Sequence, residues 1–286
     1  MLQPEVQSLY MVHKLNYLNL GCGFNFHKEW INMDMNSNSP YVISHNILKK
    51  IPFHSNQFDV IYNSHVLEHF PKEKVSNFVR ECFRVLKPGG IMRVSVPDLE
   101  NIVNEYLKLL NENIESSNRL SEANYDWIML EMYDQTVRNQ GGGQMGEFLT
   151  QPELINEQYV FDRTGYIGKL FRNEYLPAGD KQKTPSLKKF VKRGIRYIRK
   201  KMELILLSEA QRTGKFRLGG DIHQWMYDRY SLSRLLRKNG FEDIEIKTPY
   251  ESNIPQWDKY ELDVKDGIVI HPHSLIMEAI KPRKLG

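Results

Sequence analysis

Gly21-Cys22-Gly23 directly follows the apolar run Leu18-Asn19-Leu20. Two glycines in that place let the backbone turn tightly and bring bare N–H groups up to a ligand. Further on, Asp34, Asn46 and the polar group Asn63-Ser64-His65 each close another run with strand character. If those runs are parallel strands, their ends share the carboxyl edge of one sheet, the place where nucleotide-like ligands bind in open α/β folds. Three side chains are candidates for moving a proton: His69, Asp98 and His223. A histidine with a pKa near ~6.5 is largely neutral at cellular pH and can act as a base. Asp98 stands just past the run Ile91–Val96, and His223 lies in Asp221–Asp228, where the chain returns from a long excursion.

The stretch His65-Val66-Leu67-Glu68-His69 also spells His-x-x-Glu-His, an inverted zinc-protease pattern. That chemistry needs a helix displaying both histidines and a distant third ligand. Here the stretch follows an apolar strand in a glycine-turn chain, so His65 and His69 are assigned to a cofactor shell or to helix capping, and no metal is expected.

The elements that position these groups follow from periodicity. Residues 15–20, 30–34, 41–44 and 57–63 are expected as strands, with Phe58, Val60 and Ile61 suited to burial on both faces. Val75, Phe78, Val79, Cys82, Phe83 and Leu86 recur at helical spacing over 72–86, and Lys87-Pro88-Gly89-Gly90 stops that helix. Ile91–Val96 is a fifth strand, 230–238 a helix closed by Asn239-Gly240, 241–247 a strand, and 274–280 the last. The alternation predicts a doubly wound, mostly parallel α/β sheet. About six residues separate Gly23 from Trp30, whereas a parallel crossover needs roughly a dozen. The first helix is therefore expected to be reduced to a turn, or the second strand to begin later.

Residues 15–98, with 223–246 and 274–282, resemble the class I S-adenosylmethionine-dependent methyltransferases, particularly the small-molecule group called type 11. The resemblance implies a Rossmann-like seven-stranded sheet with S-adenosyl-L-methionine as cofactor. It implies backbone N–H groups of Gly21, Cys22 and Gly23 on the amino-acid end, Asp34 on the ribose hydroxyls, and Asn46 accepting from the adenine amine where the family usually has Asp. Asn19, Met35 and Ile47 fall in the same pocket, and Asn63, Ser64 and His65 near the methionine portion. Asn19 stands where the family commonly has an acid, and Asn25 replaces a usual third glycine. A nicotinamide dehydrogenase is disfavoured, because Phe26 occupies the last glycine position of Gly-x-Gly-x-x-Gly.

At 286 residues and 41% hydrophobic content, the chain suits a packed core at 1–97 and 221–286 carrying an insertion at 98–220. The insertion is expected to be mainly helical, a substrate cap whose Gly141-Gly142-Gly143-Gln144-Met145-Gly146 stretch fits neither helix nor strand and is a linker or a lid hinge. Residues 181–201 hold ten Lys and Arg and no acid in a chain of net charge +4, so the remainder carries −6. An amphipathic helix at about 186–207 would cover the core or rest on an anionic membrane surface. No aromatic stacking series accompanies these charges, which disfavours nucleic acid. Two cysteines, the lack of an apolar run of ~20 residues and the lack of a secretory pattern point to the cytoplasm. The expected activity is methyl transfer to a small-molecule or glycan acceptor, on oxygen. N-methylation of a specialised metabolite, or a non-catalytic S-adenosylmethionine-binding module, are the alternatives.

Overall fold

The computed structural model describes residues 16–37, 39–175 and 207–283. Seven strands form one sheet: β1 (Tyr17–Leu20), β2 (Ile31–Asp34), β3 (Val42–Ser44), β4 (Phe58–Ser64), β5 (Leu86–Pro97), β6 (Glu242–Lys247) and β9 (Ser274–Ile280). Their order is β3-β2-β1-β4-β5-β9-β6. The first five are parallel neighbours, and β9 is antiparallel to both β5 and β6. A small antiparallel pair, β7 (Val264–Lys265) and β8 (Ile268–Val269), stands apart.

Along β5, Met92, Val94 and Val96 join the larger core, while Ile91 packs on the opposite side. This alternation on a strand buried on both faces is what period-2 geometry requires. Leu86 pairs with Phe58 and Ile91 with Val60, so Lys87–Gly90 form an irregularity after the helix has ended at Val85. One face is covered by α1 (Lys72–Val85) and α7 (Arg229–Lys238), which present Phe78, Val79, Cys82, Leu232 and Leu236 to it.

The other face is covered differently. Gly21–Trp30 holds turns and no helix, which resolves the short first crossover in favour of a reduced helix. The vacant surface is filled from the far end of the sequence by Ile254, Trp257, Tyr260 and Leu262, the middle two on a 3₁₀ turn (Trp257–Tyr260). The Trp30 ring meets Tyr260 and Tyr17 edge-on at 5.2 and 5.0 Å. Such pairs contribute about 0.5–1.5 kcal/mol each beyond area burial. Beneath them Arg93 is fully buried, bonded to Asp263 and Glu278 and to the carbonyls of Thr248 and Glu251.

Between β5 and α7 lie α2 (Leu99–Ser116), α3 (Arg119–Val137), α4 (Gly143–Leu149), α5 (Glu157–Tyr175) and α6 (Glu209–Arg217). Arg163 ties three of them, reaching Asn101 at 2.7 Å and Glu131 at 3.0 Å. The glycine-rich stretch departs from expectation, since Gly143–Leu149 is helical. The buried Asp134 carboxylate accepts from Gln144 N at 2.7 Å and occupies the space that a Cβ on Gly143 would need. A tertiary contact thus starts a helix that composition disfavours. Inside α5, Gly165 (φ 59°) breaks the helix where a Cβ would strike the Val269 carbonyl and the Pro272 ring. The basic helix expected at about 186–207 falls almost entirely outside the described residues. No helix among the described residues is long and apolar enough to cross a membrane.

Candidate active site

Gly21 (φ 71°) and Gly23 (φ 53°) both adopt left-handed backbone at the end of β1. A Cβ on Gly21 would strike Val66 and stand 3.5 Å from Ile47 Cδ1, whereas one on Gly23 would meet nothing within 4 Å. Gly21 N donates to Met33 O at 2.8 Å, which draws the turn onto β2. Gly23 N donates to Asp34 Oδ2 at 2.9 Å, so the turn and the carboxylate are in direct contact. Asn25 anchors the far side of the turn on Leu262 O at 2.7 Å.

The other residues expected around a cofactor divide. His45 N donates to Asp34 O at 2.8 Å, which sets Asn46 beside Asp34 along the sheet edge. The amide oxygen of Asn46 nevertheless accepts from Leu48 N at 3.0 Å, capping its own turn. Ile47 is buried against Gly21. Asn19 is buried and braces the turn, its Nδ2 donating to Asn25 O at 3.2 Å. Cys22 and Ser64 line a cavity of about 300 Å³ beside the turn, while Met35 is half exposed and lines neither cavity described here. Asn63 is fully buried at the end of β4, and neither atom of its amide has a partner among the described residues.

A second cavity of about 610 Å³ opens between the sheet edge and α3–α5. Gly23, Asp34, His65, His69, Asp98 and His223 all line it. The two cavities share Gly23, Ile167 and His271. Each lies within the range of small-ligand pockets, roughly 300–1,000 Å³.

His223 reaches this cavity because the returning chain is stitched in place. His223 N donates to Gln135 O at 2.8 Å, Gln224 N to Glu68 O at 2.6 Å, and Leu99 N to Tyr227 O at 2.9 Å. Its ring meets that of His69 edge-on, with centroids 4.8 Å apart. Burial pushes the His223 imidazole down to about 2, helped by the neighbouring His69, so it is neutral at any physiological pH. Asp98 caps α2 by accepting from Glu100 N at 3.0 Å, and burial raises its carboxyl above the ordinary value.

The His-x-x-Glu-His stretch does not form a zinc-protease helix. Leu67–His69 is a single 3₁₀ turn whose N-cap is Val66, and neither histidine caps it by a side chain. His65 holds a positive φ of 54° at the strand end, a costly conformation for a non-glycine residue. Its Nε2 lies 2.9 Å from Ser274 Oγ, and its ring stacks on His271 at 3.8 Å between centroids. Burial lowers His65 to about 3 and raises Glu68 to about 7.

Sequence reasoning passed over Glu68 as a site residue, and over His271, His273 and Ser274, which line the larger cavity. The His271-Pro272-His273-Ser274 spelling just before the last strand was the available signal, and only the antiparallel pairing of β9 with β5 carries it to the carboxyl edge.

These features fit S-adenosylmethionine. The glycine turn has room where a side chain would obstruct, a carboxylate stands one residue past β2's buried core for a ribose diol, and an open cavity adjoins both. Residues 22–94 match the family described as methyltransferase domain. A curated protein of Mycolicibacterium smegmatis, named a probable S-adenosylmethionine-dependent methyltransferase, is 43% identical over 56 residues, which is 20% of this chain and 21% of that protein. The match spans about a fifth of that relative's length. Among solved structures, an S-adenosylmethionine-dependent methyltransferase from Archaeoglobus fulgidus aligns with a TM-score of 0.37 and 12% identity, over 97% of this chain and 92% of that one. A Burkholderia thailandensis 1,6-didemethyltoxoflavin-N1-methyltransferase, solved with S-adenosylhomocysteine, aligns with a TM-score of 0.38 and 10% identity, over 98% and 77%. Scores this low add nothing to the strand order. Over residues 22–94 the chain is similar to the methyltransferase-domain family, and over 56 residues to a probable S-adenosylmethionine-dependent methyltransferase.

Proposed function

We propose that this protein transfers a methyl group to an oxygen of a small-molecule or sugar acceptor held in the larger cavity. The observation that carries this reading is the shared cavity: Gly23 of the glycine turn and Asp34 at the end of β2 line the same space as His69, Asp98 and His223. Bound S-adenosylmethionine supplies an activated methyl group on a sulfonium centre. The protein's part is alignment, dehydration and a base for the hydroxyl proton. Alignment alone contributes up to ~7–11 kcal/mol in well-oriented reactions. Met132, Met145, Leu149 and Phe171 from the cap line the cavity and keep water from the acceptor.

Asp98 is the base in this reading. Its carboxyl is raised by burial, which brings its proton affinity closer to that of a useful base. His223, pushed down to about 2, holds protons too weakly for that role, and it orients the acceptor beside His69 instead. The choice of a glycan rests on the family resemblance and the basic residues 181–201, and contact of those residues with an anionic membrane carrying it rests on their charge and apolar spacing in the sequence.

Calorimetry with S-adenosylmethionine, followed by mass spectrometry of products from a panel of hydroxyl and amine acceptors, tests the reading. Asp34→Ala should weaken cofactor binding by at least tenfold. Asp98→Asn keeps a helix-capping side chain and should lower turnover about 10²–10⁴-fold with cofactor affinity unchanged. Absence of cofactor binding, or wild-type turnover in Asp98→Asn, refutes it.

A further inference from the structure

Glu68 is a buried carboxylate that accepts no hydrogen bond from any described residue. It is fully shielded from solvent. His65 Nδ1 lies 3.2 Å from Oε1 but out of hydrogen-bond alignment. Burying such a group is costly unless something charged or donating meets it.

The surroundings supply the remaining parts of a ligand set. One donor atom from each of Glu68, His69 and His223 lies within 4.8 Å of the other two. His69 Nδ1 is 3.1 Å from the Ile222 carbonyl. A carbonyl only accepts, so Nδ1 carries the proton and Nε2 keeps its lone pair. This is the outer hydrogen bond that fixes the tautomer of a metal-ligating histidine. Glu68 and His69 come from the 3₁₀ turn and His223 from the returning chain, locked to that turn through Glu68 O and, from the Gln224 side chain, His69 O at 2.9 Å.

We infer that Glu68, His69 and His223 form a mononuclear site for a divalent transition-metal ion, its open position facing the larger cavity. Two neutral imidazoles and one carboxylate are a donor set used by catalytic zinc and related ions. Three ligands about 2.1 Å from such an ion stand roughly 3.4 Å apart, so the side chains must draw in by about an ångström. His69 and Asp98 both line that cavity. The metal reading uses Glu68 as a ligand, unlike the zinc-protease pattern, where it would be the base. That the open position takes the acceptor oxygen rests on the proposed methyl transfer; metal binding itself does not.

The test uses the full chain, stripped with chelator and titrated with Zn²⁺ alone by calorimetry, with elemental analysis of the dialysed protein. One equivalent is expected, with a thermal shift upward. His223→Ala and Glu68→Gln should each weaken binding by roughly 100-fold or more. His54→Ala, at an exposed histidine outside the site, should bind as wild type. If Glu68→Gln does not fold, His223→Ala carries the comparison, and X-ray absorption should report nitrogen and oxygen ligands only. Failure to take up one equivalent, or wild-type affinity in His223→Ala, overturns the inference. Cofactor titration of the same stripped protein separates the two proposals. Cofactor binding without Zn²⁺ uptake removes the metal site alone, and Zn²⁺ uptake without cofactor binding removes the methyltransferase reading alone.

Discussion

Replacing Arg93 with methionine should destabilise the protein by about 3–5 kcal/mol, the range for breaking a buried ion pair from one side. The guanidinium has five N–H groups, and the structure records five hydrogen bonds: two to Asp263 Oδ2 at 2.7 and 2.9 Å, one to Glu278 Oε1 at 2.7 Å, and one each to the carbonyls of Glu251 and Thr248. Methionine leaves Asp263 and Glu278 only 5% and 1% exposed and without their cation. Each retains some compensation: Tyr62 Oη is 2.6 Å from Asp263 Oδ1, and Asn253 N donates to Glu278 Oε2 at 2.8 Å. This places the expected cost nearer the lower end of the range. The loss should reach the Gly21–Gly23 turn, since Asp263 adjoins Leu262, whose carbonyl holds Asn25. Urea unfolding followed by tryptophan fluorescence measures the cost, because Trp257 lies 4.5 Å from the guanidinium. The triple variant Arg93→Met, Asp263→Asn, Glu278→Gln removes the stranded charges and should recover most of the stability. A cost below about 1 kcal/mol for the single variant, or no recovery in the triple, refutes the view that charge compensation at Arg93 holds residues 248–263 on the sheet.

Gly21→Ala should cost about 2–5 kcal/mol, combining ~1–2 for left-handed backbone with ~1–3 for a methyl forced against Val66; thermal unfolding measures it, and a wild-type melting temperature refutes it. Glu81 accepts from Arg84 and from Ile51 N at 2.9 Å, and the Arg84 hydrogen bond lowers its carboxyl below the ordinary value. A depressed acid contributes stability above its unfolded pKa and loses it as pH falls through the folded one. Wild type should therefore exceed Glu81→Gln by about 1–2 kcal/mol at pH 7, the gap closing below about pH 4. A gap that widens on acidification contradicts that sign.

Local pattern determined the sheet and the glycine turn. Apolar runs of strand length, helical spacing over 72–86 and the Gly21–Gly23 break act over a few residues, and they appear close to where expected, except that the helix ends at Val85 and Leu86 already belongs to β5. The shortness of the Gly23–Trp30 link left either a crossover without a full helix or a later second strand, because chain length bounds what a connection can hold, and the structure shows the former. Three matters belonged to tertiary structure. The covering of the helix-free face comes from Trp257 and Tyr260, more than 220 residues after the turn they back, and their own neighbourhood carries no periodic signal. The helix at Gly143–Leu149 starts on a carboxylate from another helix, against local propensity. The cavity wall joins His69 to the His223 segment through hydrogen bonds that span some 150 residues, and Asn46 spends its oxygen on its own turn. Short-range sterics are written into neighbouring residues; which buried polar groups find each other depends on how separate segments pack, and only folding makes that selection.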